Sequence, residues 1–172
     1  MRQRDYNSGS FSPNGCGCLV LLILLTGVIV LVIPSFFMCN ANKAKQSESK
    51  QYVGSMNRAQ QAKFAENGSF SNSVGALGIG IKTETSNYKY STHATKQAAF
   101  NYGVSKTKDA KIKSNVGGVF LVPAFPNDPA ENEMTTVSIL CQADSAGTMK
   151  PAEPIYQNAG VICGKDTTEV TK

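Results

Sequence analysis

Hydrophobic and polar positions divide this chain into three stretches of different pattern. Residues 19 to 38, LVLLILLTGVIVLVIPSFFM, are almost wholly apolar, and no Asp, Glu, Lys, Arg or His occurs between Asp5 and Lys43. Twenty helical residues rise about 30 Å, the thickness of a bilayer's hydrocarbon core. The pattern predicts a transmembrane helix over 16–39 with a kink at Pro34. The preceding residues 1–15, MRQRDYNSGSFSPNG, have the composition of a disordered tail. Removal of the run as a signal peptide would need a small-residue cleavage site. Cys39-Asn40-Ala41 is a poor one, so retention as an anchor is the better reading.

From residue 40 the period becomes helical. Ala44, Glu48, Tyr52, Met56, Ala59 and Lys63 follow three- and four-residue steps and leave a narrow apolar stripe of Tyr52, Met56 and Ala59. That stripe predicts an amphipathic helix over 40–67 lying on a sheet, with Asn67-Gly68 as its stop signal. With the anchor it would form one kinked rod of about 70 Å. Beyond Ser69 the chain is rich in Ser, Thr, Gly and β-branched residues. Strands are predicted over 84–93, 98–104, 115–122, 134–142 and 159–164, with a proline-rich turn between the third and fourth. Alternation puts Val137, Ile139 and Cys141 on one face, and Val161 with Cys163 on another. A helix followed only by strands predicts an α+β domain over 68–172, the long helix packed on an antiparallel sheet.

Composition adds less. The net charge of +5 is scattered over 172 residues. Lysines gather at Lys43, Lys45 and Lys50, and again at Lys106, Lys108, Lys111 and Lys113. Either group is a candidate contact for anionic lipid or another polyanion. Ordinary solvated surface is the blander reading, since Glu48 and Asp109 lie within the groups. The chain has five cysteines. Cys16, Cys18 and Cys39 flank the apolar run, while Cys141 and Cys163 fall in the polar domain. Those two read first as one disulfide, and the alternative is two unrelated buried thiols. A bridge would put the domain on the outer side of the membrane. The basic tail, with Arg2 and Arg4 against Asp5, favours a cytoplasmic N-terminus.

Catalytic signals are missing. His93 is the lone histidine and reads as a surface residue. Neither Gly-x-Ser-x-Gly nor His-Glu-x-x-His occurs, and the glycines of GALGIGIK (75–82) lack phosphate-loop spacing. Two thiols and one histidine make no four-ligand zinc site, and Asp128, Glu131 and Glu133 match no calcium loop. Tyr88, Tyr90 and Tyr102 read as cross-strand packing rather than a nucleic-acid stacking platform. No metal, cofactor or enzymatic activity is expected, and nucleic acid is not an expected partner.

The segment ANKAKQSESKQYVGSMNRAQQAKFAENGSF (41–70) after Pro34-Ser35-Phe36, together with GIKTETSNYKY (80–90) and the Cys141/Cys163 pair, resembles the type IV pilin-like proteins of the G/H group. The resemblance covers about 34–165. It implies a pilin-like fold, a helix embedded first in the membrane and then in a filament, and a cysteine-closed loop over 142–162. The implied partners are the lipid bilayer, other pilin-like subunits and pilus assembly proteins. The chain departs from pilins at its front. Gly15 and Gly17 are each followed by cysteine, and no glutamate precedes Glu48. A prepilin-type site has glycine before a hydrophobic residue, with a buried glutamate that pairs with a neighbour's N-terminal amine. The expected function is a non-catalytic, membrane-anchored component of a type IV pilus or related secretion machinery. It would sit in the inner membrane with its domain periplasmic or extracellular. The alternatives are a minor pilin cut at Gly15 or Gly17, and a pilus-independent anchored module binding polysaccharide or DNA.

Overall fold

The computed structural model describes residues 42–108, 111–125 and 133–170. The apolar run, the Pro34 kink and the N-terminal tail lie outside these residues. Among the described residues no helix is long and apolar enough to cross a membrane.

The described part of helix α1 covers 42–67, and the helix ends at Gly68, whose φ of 65° is the left-handed conformation that glycine adopts without strain. The Gly68 N–H bonds the Phe64 carbonyl at 2.7 Å and closes the last turn. The connection to the first strand carries a short 3₁₀ turn at Gly75–Leu77. Four long antiparallel strands follow: β1 (Tyr88–Ala94), β2 (Ala98–Ser105), β3 (Lys113–Pro123) and β4 (Met134–Ala146). A short β7 (Thr167–Glu169) completes a five-stranded sheet in the order β1-β2-β3-β4-β7.

A short strand falls within the predicted segment 159–164. Residues Gly160–Ile162 form β6, which pairs with β5 (Ile155–Gln157) in a separate hairpin rather than beside β4. The three-residue β7, Thr-Thr-Glu, carries too little alternation to be read beforehand, yet it takes the place beside β4. Between β5 and β6, Asn158 (φ 51°) and Ala159 (φ 59°) make a two-residue turn with both central residues left-handed, the geometry that suits a twisted hairpin.

The sheet's two faces are unlike. On one, Phe100, Tyr102, Val116, Phe120, Val122, Ile139 and Cys141 form an apolar core, which the hairpin segment covers through Val161 and Cys163. On the other, which faces α1, the central strands present Ala99, Asn101 and Gly103 on β2 and Asn115, Gly117 and Val119 on β3. These are small or polar. Apolar contact on that side is concentrated at the β1 edge, where Tyr88 and Tyr90 join Val53, Met56, Val74, Leu77 and Ile112.

Candidate functional site

The seam between α1 and the sheet holds a dense cluster of buried polar side chains. Ser49, Val53, Met56, Asn57 and Gln60 face the sheet at helical spacing and are buried, three of the five being polar. The Asn57 Nδ2 donates to the Ile139 carbonyl at 2.9 Å, and its Oδ1 accepts from Asn101 Nδ2 at 2.9 Å. The Asn101 Oδ1 accepts from the Thr92 hydroxyl at 2.8 Å, and that hydroxyl accepts from Gln60 Nε2 at 2.9 Å. Gln60 also grips the backbone of Ser71, donating to its carbonyl at 2.7 Å and accepting from its N–H at 2.8 Å. One continuous chain of hydrogen bonds therefore crosses from helix to β1, β2 and β4. Such bonds add specificity to the docking, because slipping α1 by one residue would strand every member in a dry interface. Asn115 Nδ2 donates to Ser49 Oγ at 3.0 Å, while its Oδ1, buried, finds no donor among the described residues.

Two glycines let the helix come this close. A Cβ at Gly117 would lie 2.7 Å from Asn57 Cγ and Nδ2, and closer still to Oδ1. A Cβ at Gly103 would lie 3.1 Å from Tyr90 Cε1 and Val53 Cγ2, and closer to Ser49 Oγ. Towards the start of α1, the Glu48 carboxylate accepts from Thr85 Oγ1 at 2.7 Å, the Tyr90 hydroxyl at 3.1 Å and Asn87 Nδ2 at 3.3 Å. Tyr88 donates to the Lys113 carbonyl at 3.1 Å. Burial, then the nearby Glu48 charge, push the Tyr88 and Tyr90 phenols well above their usual range.

On the opposite face Cys141 and Cys163 form a disulfide with Cα atoms 5.8 Å apart and a sequence separation of 22. The spanned segment is fastened at further points. Tyr102 donates to Glu153 Oε1, and Lys150 Nζ sits 3.9 Å from the Tyr102 ring centroid. Pro154 is buried against Gly118, and Tyr156 lies 6.4 Å from Phe120. Burial, followed by the bond to Glu153, raises the Tyr102 phenol. The three layers are thus helix, sheet and disulfide-closed segment.

The family model for type IV pilin-like G and H proteins matches residues 46–164, which take in α1, the sheet through β4 and both cysteines of the bridge. The chain belongs to that family. The match covers more than half of the sequence. No match is found among curated proteins, and none among solved structures.

In this pilin-like domain the helix residues singled out from the sequence are placed unevenly. Met56 is fully buried on the sheet. Tyr52 and Ala59 flank it, half-buried, with the Tyr52 ring 5.1 Å from Tyr90. The stripe's centre is shifted by one position towards Ser49, Val53, Asn57 and Gln60. A search for apolar residues alone misses three of these, although their four- and three-residue spacing was visible. Pro34 lies outside the described residues. Of the lysines, Lys106 pairs with Glu84 and donates to the Thr85 carbonyl at 3.1 Å. Lys108 and Lys111 are exposed, and Lys113 belongs to β3 rather than to the loop. His93 is exposed on β1. The described residues contain no group of three or more side chains suited to a metal.

Proposed function

We propose that this pilin-like chain is a non-catalytic, single-pass membrane protein that serves a type IV pilus or a related secretion apparatus as a structural or accessory subunit. Its N-terminus is cytoplasmic and its domain is periplasmic or extracellular. The observation that carries the reading is the order of parts along one chain. A charge-free apolar run ends at Met38, the described residues from 42 onward are helical, and that helix is hydrogen-bonded along its length to a disulfide-closed sheet. Membership of the pilin-like family supports interaction with other pilin subunits or pilus proteins. A non-catalytic role is supported by how the buried polar groups are used: Glu48, Asn57, Gln60 and Asn101 are engaged in holding α1 to the sheet.

The test is intact-mass and N-terminal analysis of the protein from its own membranes, after carbonate extraction. A chain that stays in the membrane and begins at Met1 or Arg2 is an uncut anchor acting beside the filament. A chain beginning at Cys16 or Cys18 has been processed as a subunit despite the missing glutamate. A chain released by carbonate refutes anchoring.

A further inference from the structure

Folding joins the two lysine groups that lie some sixty residues apart in sequence. The Gln46 Nε2 of α1 donates to the Lys111 carbonyl at 3.0 Å, and Ser49 accepts from Asn115 at 3.0 Å. The start of α1 is therefore packed beside the loop from β2 to β3. Lys43, Lys45 and Lys50 on the helix meet Lys106, Lys108, Lys111 and Lys113 at the same end of the domain. Lys50 and Lys113 line one cleft of about 330 Å³ together with Asp144 and Glu169.

The acidic groups at this end are mostly occupied. Glu48 is taken up by Thr85, Asn87 and Tyr90. Glu84 is paired with Lys106, which holds its carboxyl below the usual range. Asp144 accepts from Thr168 Oγ1 at 2.5 Å. Glu169 remains beside Lys50 and Lys113, and Asp109 of the loop lies outside the described residues. Lys43, Lys108 and Lys111 are exposed, with Lys45 partly so. Lys63, near the C-terminal end of α1, and Lys96, in the turn between β1 and β2, lie outside this group.

We propose that this lysine-rich end is a docking surface for an anionic bilayer, engaging lipid headgroup phosphates. The inference rests on the anchored reading above. The connectivity of the chain supplies the occupant: only two residues separate Cys39, the end of the expected membrane segment, from residue 42, the first described residue of α1. Those three peptide units reach at most about 11 Å. The helix start is thus held within roughly one Debye length of the lipid surface, where lysines are attracted to anionic headgroups.

The experiment reconstitutes the full chain into vesicles of neutral phosphatidylcholine, or of the same lipid with about one third phosphatidylglycerol, and measures lysine acylation rates by mass spectrometry. In anionic vesicles Lys43, Lys45, Lys108 and Lys111 are expected to react about fivefold more slowly than in neutral ones, the protection disappearing at high salt. Lys63 and Lys96 should react alike in both. The paired substitution Lys108→Gln with Lys111→Gln, both at exposed positions, should reduce the protection of Lys43 and Lys45. A chain that floats with both vesicles yet labels identically overturns the inference and leaves anchoring intact. A chain that floats with neither overturns both. Protection by free heparin or DNA without protection by anionic vesicles assigns the surface to another polyanion and overturns the lipid assignment.

Discussion

Replacing Gly117 with Ala is a direct test of whether the polar seam sets the distance between α1 and the sheet. The backbone at Gly117 is not in the left-handed region, so an added methyl is opposed by space alone. The space is taken by the Asn57 amide, with Cγ and Nδ2 2.7 Å from the new Cβ position. Asn57 cannot swing aside freely, because it donates to Ile139 and accepts from Asn101, each at 2.9 Å. Moving it leaves the Asn57 and Asn101 amide donors without partners in a dry interface, at about 1–3 kcal/mol each. The gain from restricting a strand glycine offsets about 0.5–1 kcal/mol. The expected net loss is about 2–5 kcal/mol. Gly54 is the internal control. It lies within α1, an added Cβ there meets nothing within 4 Å, and Gly54→Ala should stabilise by about 0.5–1 kcal/mol. The assay is urea unfolding of the full chain in detergent, followed by near-UV circular dichroism. The chain has no tryptophan, and Tyr88, Tyr90 and Tyr102 are buried reporters. A double-mutant cycle with Asn57→Ala should show coupling above about 1 kcal/mol, since removing the amide makes room for the methyl. A Gly117→Ala protein within about 0.5 kcal/mol of the parent, or strict additivity with Asn57→Ala, would refute the reasoning.

Four further outcomes are expected. Cys141→Ser or Cys163→Ser should cost about 2–5 kcal/mol in the same unfolding assay, and a change within about 0.5 kcal/mol would mean that the other fastenings of the segment suffice. Asn57→Ala should cost at least about 1 kcal/mol more than Asn115→Ala, because Asn57 makes two bonds and Asn115 makes one while carrying an unpartnered oxygen. Ala159→Gly at the left-handed hairpin position should stabilise by about 0.5–1 kcal/mol, and a loss would show that the turn relaxes in solution. Tyr88, Tyr90 and Tyr102 have phenols raised above the unfolded value of about 10, so their contribution is complete below that pH and declines as pH rises above it. Stability should therefore fall steeply above about pH 10, and Tyr90→Phe should flatten the slope; an unchanged slope would place the Tyr90 ionisation outside the folding equilibrium.

The two ends of α1 give the assembly question a physical form. Its buried face is consumed by the sheet, whereas Arg58, Ser55 and Tyr52 line an open groove against Ile79, Gly80 and Ile81. Of the stripe predicted from sequence, Met56 is fully buried on the sheet, whereas Tyr52 and Ala59 also line this groove.

The sequence by itself determined what depends on local pattern. The helical spacing from residue 44 onward, the Asn67-Gly68 stop and the alternation in TTVSILC are near-neighbour properties. They predicted an amphipathic helix, the strands that follow it and a shared face for Val137, Ile139 and Cys141, because side-chain direction follows from backbone period alone. The lysine groups and both cysteines were equally visible. What tertiary structure decided was which patterns meet. Gly103, Gly117, Asn57 and Asn101 look like poor strand or helix residues until the close approach of α1 makes small size and paired amides the only fit. The partner of the 159–164 strand was not legible because register and partner choice are non-local, and the three-residue β7 beside β4 carries too weak a pattern to be read. The joining of Lys43 to Lys111 likewise follows from a hydrogen bond across 65 residues of chain, between Gln46 and Lys111. Periodicity fixes the direction of a side chain, but only packing fixes its neighbour.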